Sequence, residues 1–289
     1  MTEPQRAMSE HNPTIRPRVR LRKRLGQTIL VDQNINRKMV EVAGVTKEDL
    51  VVEVGAGYGG LTEVLAQRAG TVFAIEIDRR FEPILREKFG AFPHVTIFIG
   101  DVLNHDLADL LAHHLPHGGP LKMVSNIPYY VTAPILEHFL ERSLFFDTIV
   151  VMVQKEVAVR LTAKPGSRKY GVLSLVAQFY ADVDKIADVP KTCFRPVPEV
   201  DSSIVRFLCK RPTAVEGEEK EFLLRVIRAA FGERRKMLKN ALVRSSELCI
   251  PQEAIGKALI AADISGERRA ETLSLDEFIR LSRELRQEG

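Results

Sequence analysis

The chain has 289 residues, 45% of them hydrophobic and 28% charged, with a formal net charge of +4. This balance excludes a wholly disordered chain, and no apolar run reaches the roughly 18 residues needed to span a bilayer. The opening Met1-Thr-Glu-Pro-Gln-Arg lacks the apolar segment of a secretory signal, so a cytoplasmic protein is expected.

Residues 1–20, polar and containing Pro13, read as a flexible basic tail. Arg16, Arg18, Arg20, Arg22, Lys23 and Arg24 form one dense cationic run in and after it. A helical pattern then begins at Asp32, carries Ile35, Met39, Val40 and Ala43, and stops at Gly44, the residue type most often found just past a helix end. Short apolar, β-branched runs at 50–54, 72–77, 95–99, 123–124 and 149–153 read as strands, with helix-length segments at 61–68, 81–89, 133–141 and 156–163 between them. Such alternation predicts right-handed crossovers and a mostly parallel sheet covered on both faces.

Residues 183–186 and 204–208 are two further predicted strands, separated by the proline-punctuated stretch Cys193-Phe-Arg-Pro-Val-Pro. After Lys210-Arg-Pro helical periodicity takes over, at 222–231, 235–243, 253–261 and 275–285. The expected organisation is a tail over 1–20, an α/β domain over 21–209 and a small all-helical domain over 210–289. A second cationic group, Arg234, Arg235, Lys236 and Lys239, follows Arg225 and Arg228 in the helical part. One such run is commonly a solvated face, whereas two in one chain point towards nucleic acid. Cys193, Cys209 and Cys249 are odd in number and far apart, with no C-x-x-C spacing, and read as reduced structural thiols.

The first strand runs into Val54-Gly55-Ala56-Gly57-Tyr58-Gly59-Gly60. Glycines at a strand-to-helix turn let the backbone approach a ligand closely, and the next helix offers free amides and its positive dipole end. Glu76, about twenty residues on at the next strand end, is placed to bind two ribose hydroxyls. Both features suit a nicotinamide dehydrogenase as well as a methyltransferase. Asp101, after Gly100, is a candidate acceptor for the exocyclic amine of a cofactor adenine or a plain helix cap.

The most specific signal is Ser125-Asn126-Ile127-Pro128-Tyr129-Tyr130 after the fourth strand. An aromatic amine is a poor nucleophile because its lone pair is delocalised into the ring, so a site must hold it and favour a tetrahedral nitrogen. Asn126 can accept one amine hydrogen through its side-chain oxygen. The backbone carbonyl beside Pro128 can accept the other, and Tyr129 can stack on a flipped-out base. A dehydrogenase leaves these residues without a role.

The tetrad Asn126-Ile-Pro-Tyr129, following Glu53-Val-Gly-Ala-Gly57, Glu76-Ile-Asp78 and Gly100-Asp101, resembles the rRNA adenine N6-methyltransferases. These comprise the small-subunit rRNA adenine dimethyltransferases and the macrolide-resistance methyltransferases of large-subunit rRNA. The likeness continues in Arg22-Lys-Arg-Leu-Gly-Gln27, in Phe194-Arg-Pro-Val-Pro198-Glu-Val-Asp-Ser202, and in Phe231-Gly-Glu-Arg-Arg-Lys236 with Asn240, which looks like the family's C-terminal helix. It spans about residues 20–285.

The resemblance implies a Rossmann-like class I methyltransferase sheet with S-adenosylmethionine as cofactor, contacted by Thr28, Leu30, Gly55, Gly57, Glu76, Asp101 and Asn126. It implies a catalytic group of Asn126, Pro128, Tyr129 and Phe194, with Phe194 facing the target adenine opposite Tyr129. RNA contacts are expected from Arg22, Lys23, Arg24, Arg234, Arg235 and Lys236. Where the family has Gln-Asn-Phe-Leu, this chain has Gln27-Thr28-Ile29-Leu30, so Thr28 keeps an oxygen but lacks a carboxamide donor.

The implied activity is N6,N6-dimethylation of two adjacent adenosines near the 3′ end of small-subunit rRNA, on the RNA or an assembling subunit, by a monomer. The alternatives are the large-subunit branch, against which the long basic C-terminus argues, and a non-catalytic ribosome-assembly factor. His105, His113, His114 and His117 read as a solvated loop, since no carboxylate or thiol completes a metal ligand set and the transfer needs no metal. Lys164-Pro-Gly-Ser-Arg-Lys169 is a candidate phosphate-touching loop.

Overall fold

The computed structural model of the chain describes residue 19 and residues 28–114, 120–141, 146–210, 213–233 and 235–288, with no side-chain description for Tyr130 and Glu141. Arg22, Lys23, Arg24, His117, Arg234 and nearly all of the tail lie outside the described residues.

In chain order, β1 (Ile29–Leu30) leads to α1 (Gln33–Val42), whose first turn is capped by Asp32 accepting from the Asn34 amide at 2.9 Å. Then follow β2 (Leu50–Val54), α2 (Gly60–Arg68), β3 (Thr71–Glu76), α3 (Glu82–Phe89), β4 (Val95–Ile99) and the short α4 (Leu107–Leu111). The central part continues as β5 (Leu121–Asn126), α5 (Thr132–Glu141), β6 (Thr148–Gln154), α6 (Lys155–Leu161) and α7 (Val172–Tyr180). Next come β7 (Ala181–Val189), β8 (Phe194–Arg195), β9 (Ser202–Cys209), α8 (Gly217–Gly232), α9 (Leu238–Val243), α10 (Gln252–Ala261) and α11 (Leu275–Glu288).

Seven strands form one sheet in the order β4-β3-β2-β5-β6-β9-β7. The pairings from β4 through β6 are parallel, and β9 and β7 pair antiparallel at one edge. The strand order reverses direction between β2 and β5. The other two strands, β1 and β8, make a separate antiparallel pair.

Side-chain alternation divides the core between the two sheet faces. Val52, Val54, Phe73, Ile75, Val151 and Val153 belong to one cluster. Val51, Val72, Ala74, Val150 and Met152 belong to the other, with Met39, Leu65 and Phe81 from the covering segments. The first cluster runs on without a break through α7 into the C-terminal helices, taking in Phe179, Leu223, Ile227, Ile255, Phe278 and Leu281.

Several elements differ from expectation, and the short β1, β8 and α4 were not predicted. Helix α7 was not predicted: seven of its nine residues are buried, and so short and apolar a run reads as strand or helix alike. Strand β7 runs from 181 to 189 because its charged residues, Asp182, Asp184 and Lys185, sit on a half-open edge that alternation misses. Helix α9 begins at Leu238, not at 235, because the Leu238 and Lys239 amides donate to the Arg268 and Gly266 carbonyls at 2.7 and 3.1 Å. Arg235 and Lys236 therefore sit exposed in the turn between α8 and α9 instead of on a helix.

Candidate active site

The β2–β5 ladder pairs Leu50 with Leu121 through Val52 with Met123. Above that level the Val54 amide donates to the Ser125 hydroxyl at 2.9 Å instead of to backbone. The two strands separate there, and a crevice opens where the strand order reverses, the usual ligand position of an open α/β sheet. It is a cleft of about 210 Å³.

Gly55, at φ +85°, carries the chain over the floor of this crevice. A Cβ there would lie 3.4 Å from Pro128 Cδ and 3.5 Å from the Asn126 carbonyl oxygen. The glycine thus lets two strand ends pass with no side chain between them. Gly57 has φ +54°, and its amide donates to Glu76 Oε2 at 2.8 Å. Glu76 Oε1 accepts from the Asp78 amide at 2.9 Å. Burial pushes the Glu76 carboxyl above its ordinary value, while these two amide bonds oppose the shift.

Of the residues expected at the cofactor, Thr28, Gly55, Gly57, Glu76, Asp101 and Asn126 line this cleft together, along with Pro128 and Tyr129. Asp101 lines the cleft and caps the turn Val102–Asn104, accepting from the Leu103 amide at 3.1 Å. Pro128 opens the turn Tyr129–Val131, and its own carbonyl accepts from the Val131 amide and the Thr132 hydroxyl, each at 3.2 Å. Tyr129 is half-buried, and its hydroxyl shares a 2.6 Å hydrogen bond with the Ser202 hydroxyl. Burial raises the Tyr129 pKa, against the bonds from Ser202 and Thr28.

Leu30 and Phe194 are not brought to the cleft. They stand opposite each other in the β1–β8 pair, and opposed residues of an antiparallel pair point to one face. That face is the core cluster containing Met39, Met152 and Ile204, where Phe194 is fully buried. The Phe194 ring is thus packed within that cluster.

Several apolar residues complete the lining, among them Ile29, Ile77, Phe81, Val102 and Ile135. Single hydrophobic residues in strand ends and turns carry no sequence signal of their own. Ile77 has one in context: it follows Glu76 and remains 48% exposed, although large and apolar. Beneath the glycine turn Glu53 is buried, and the Thr62 hydroxyl donates to its Oε2 at 2.6 Å. Burial, reinforced by the nearby Glu76 and opposed by the Thr62 bond and the more distant Lys88, pushes its pKa up to about 8. Among the histidines, His114 packs edge-on to Phe73 and shares a 3.0 Å hydrogen bond with Thr96, so it belongs to the fold and not to a solvated loop. Among the described residues no group of three or more His, Cys, Asp or Glu side chains converges, and no helix is long and apolar enough to cross a membrane.

Two solved structures match nearly all of the chain. A dimethyladenosine transferase from Plasmodium falciparum superposes with a TM-score of 0.77, covering 90% of this chain and 98% of its own at 24% identity. The 23S rRNA methyltransferase ErmE gives 0.68, covering 90% and 100%, at 27% identity. Proteins named ribosomal RNA small subunit methyltransferase A are closer in sequence. The one from Shouchella clausii is 44% identical over 262 residues, 91% of this chain and 88% of its own. That from Moorella thermoacetica is 44% identical over 268 residues, 91% and 92% respectively. A family profile described as ribosomal RNA adenine dimethylase matches residues 18–287. With the glycine crevice, Glu76 and the Asn126–Tyr129 turn on one cleft and that match running almost end to end, the chain belongs to the ribosomal RNA adenine dimethylase family.

Proposed function

We propose that the protein is an S-adenosylmethionine-dependent methyltransferase that dimethylates N6 of two adjacent adenosines near the 3′ end of small-subunit rRNA. The observation that carries this reading is the junction of two sites: the residues suited to hold an aromatic amine, Asn126 to Tyr129, line the same crevice as Gly55, Gly57 and Glu76. The relatives at 44% identity act, by their names, on the small subunit, and the large-subunit alternative is not favoured.

The crevice fits the cofactor. A bare glycine backbone admits close approach, and the Glu76 carboxylate, fixed by two amides, offers the acceptors that a pair of vicinal hydroxyls requires. Ile77 and Val102 provide apolar flanks for a flat ring, and Asp101 an acceptor for its exocyclic amine. When bound, S-adenosylmethionine supplies a methyl group already activated by a sulfonium.

The chain's own task is to present the adenine amine. The Asn126 carboxamide engages no group among the described residues, so its oxygen is available to accept one amine hydrogen. Because the Pro128 carbonyl is taken by Val131 and Thr132, the carbonyl left for the second hydrogen is that of Ile127. Two acceptors in place oblige the nitrogen lone pair to turn out of the ring plane. Tyr129 supplies the stacking face, and the cations at 22–24 and 234–236 supply phosphate contacts. We further propose a monomer working in the cytoplasm on an assembling small subunit.

The test is nucleoside mass spectrometry on small-subunit particles that lack the modification, incubated with the purified protein and S-adenosylmethionine, with large-subunit RNA alongside. Dimethyladenosine in small-subunit RNA alone supports the proposal. Its appearance only in large-subunit RNA overturns the choice of substrate, and its absence from both overturns the enzymatic reading.

A further inference from the structure

Ser202 ends the motif that begins at Phe194 and does not line the cleft. It is the first residue of β9 and is fully buried, paired with Gln154 of β6 on one side and Val189 of β7 on the other. The preceding Asp201 adds two ties: its side chain accepts from the Lys191 amide and its carbonyl from the Lys155 amide, both at 3.0 Å. From this fixed point the Ser202 hydroxyl meets the Tyr129 hydroxyl at 2.6 Å.

Tyr129, by contrast, stands in a single three-residue turn, Tyr129–Val131, that has no side-chain cap. A tyrosine ring has two side-chain torsions, and holding the hydroxyl at the far end of the ring restricts both. Thr28 and Tyr129 both line the cleft. Phenol and serine hydroxyls each donate once and accept, so Tyr129 and Ser202 can satisfy one another.

We infer that Ser202 is a positioning residue that holds the Tyr129 ring in place for the incoming adenine. The inference rests on the reading of Tyr129 as the platform for the target base. It gives the late motif a further point of entry to the site: the motif acts through its last residue, from behind the tyrosine.

The experiment uses the full chain and modification-free small-subunit particles. Initial rates of methyl transfer are measured for Ser202→Ala, Tyr129→Phe and the double variant Ser202→Ala/Tyr129→Phe. S-adenosylmethionine affinity is measured separately by calorimetry. Losing this hydrogen bond should lower kcat about fivefold, with cofactor affinity unchanged within error. The double variant should be no slower than Tyr129→Phe alone. An RNA fragment carrying 2-aminopurine at the target position should lose less fluorescence on binding Tyr129→Phe than on binding the unsubstituted protein.

Independent, multiplying losses in the double variant would overturn the inference. Tyr129→Phe keeps the ring and its packing, so if Ser202→Ala fails to fold, full activity and unchanged quenching in Tyr129→Phe alone refute the inference. An unsubstituted protein that binds S-adenosylmethionine yet modifies no RNA would instead overturn the methyltransferase reading itself.

Discussion

Replacing Glu53 by glutamine should make the protein more stable in alkali while leaving it nearly unchanged in mild acid. The side chain lies beneath the glycine turn, 2% exposed, with Thr62 donating to Oε2. Its pKa rises from 4.5 to about 8 on folding, so between those values the folded chain holds a proton that the unfolded chain has released. Stability then falls as pH rises, by about 1.36 kcal/mol per pH unit across that window. Over the whole window the cost reaches on the order of 4 to 5 kcal/mol. The carboxamide keeps an acceptor for Thr62 but has no charge to release. The assay is urea unfolding of both proteins at intervals from pH 5 to pH 9, followed by circular dichroism because the chain has no tryptophan. Subtracting one stability curve from the other removes every group the two proteins share. The difference should be near zero at pH 5 and favour Glu53→Gln by several kcal/mol at pH 9. A flat difference, or one favouring glutamate as pH rises, would show that Glu53 is ionised in the folded state.

Gly59→Ala should cost about 2 to 4 kcal/mol in denaturant unfolding, from left-handed strain plus overpacking, since φ is +74° and the new Cβ would fall 2.4 Å from Cε2 of buried Phe89; a loss below 1 kcal/mol would refute the close approach. Phe194→Ala should destabilise the fold by about 3 to 5 kcal/mol, whereas unchanged stability with lost methylation would return Phe194 to the target base. Neutralising Arg234, Arg235 and Lys236 together should weaken RNA binding and lower the slope of log affinity against log salt by about 2 to 3, with S-adenosylmethionine affinity untouched. A fall in cofactor affinity instead would place these cations in the cofactor site.

The parallel sheet was legible because its strands are buried on both faces and therefore read as continuous apolar runs, each followed by a helix. The floor of the cleft was legible because Gly55, Gly57 and Glu76 are residue types that few other roles demand at those spacings. What escaped was set by tertiary context. Helix α7 is so short and fully enclosed that its apolar run reads as strand or helix alike. The two-residue strands β1 and β8 are too short for any pattern, and only their pairing turns Leu30 and Phe194 inward. Ser202 is a small residue at a strand start, and its contact with Tyr129 spans 73 positions of sequence. No local signal could have joined them.

The enclosure of α7 also ties the two ends of the molecule together. Because α7 packs against β7 on one side and against α8 and α11 on the other within one apolar cluster, the turn bearing Arg235 and Lys236 and the crevice at Asn126 are joined through a continuous core and not through a linker. On the proposed reading, RNA held at that turn would reach the crevice at a separation set by the fold.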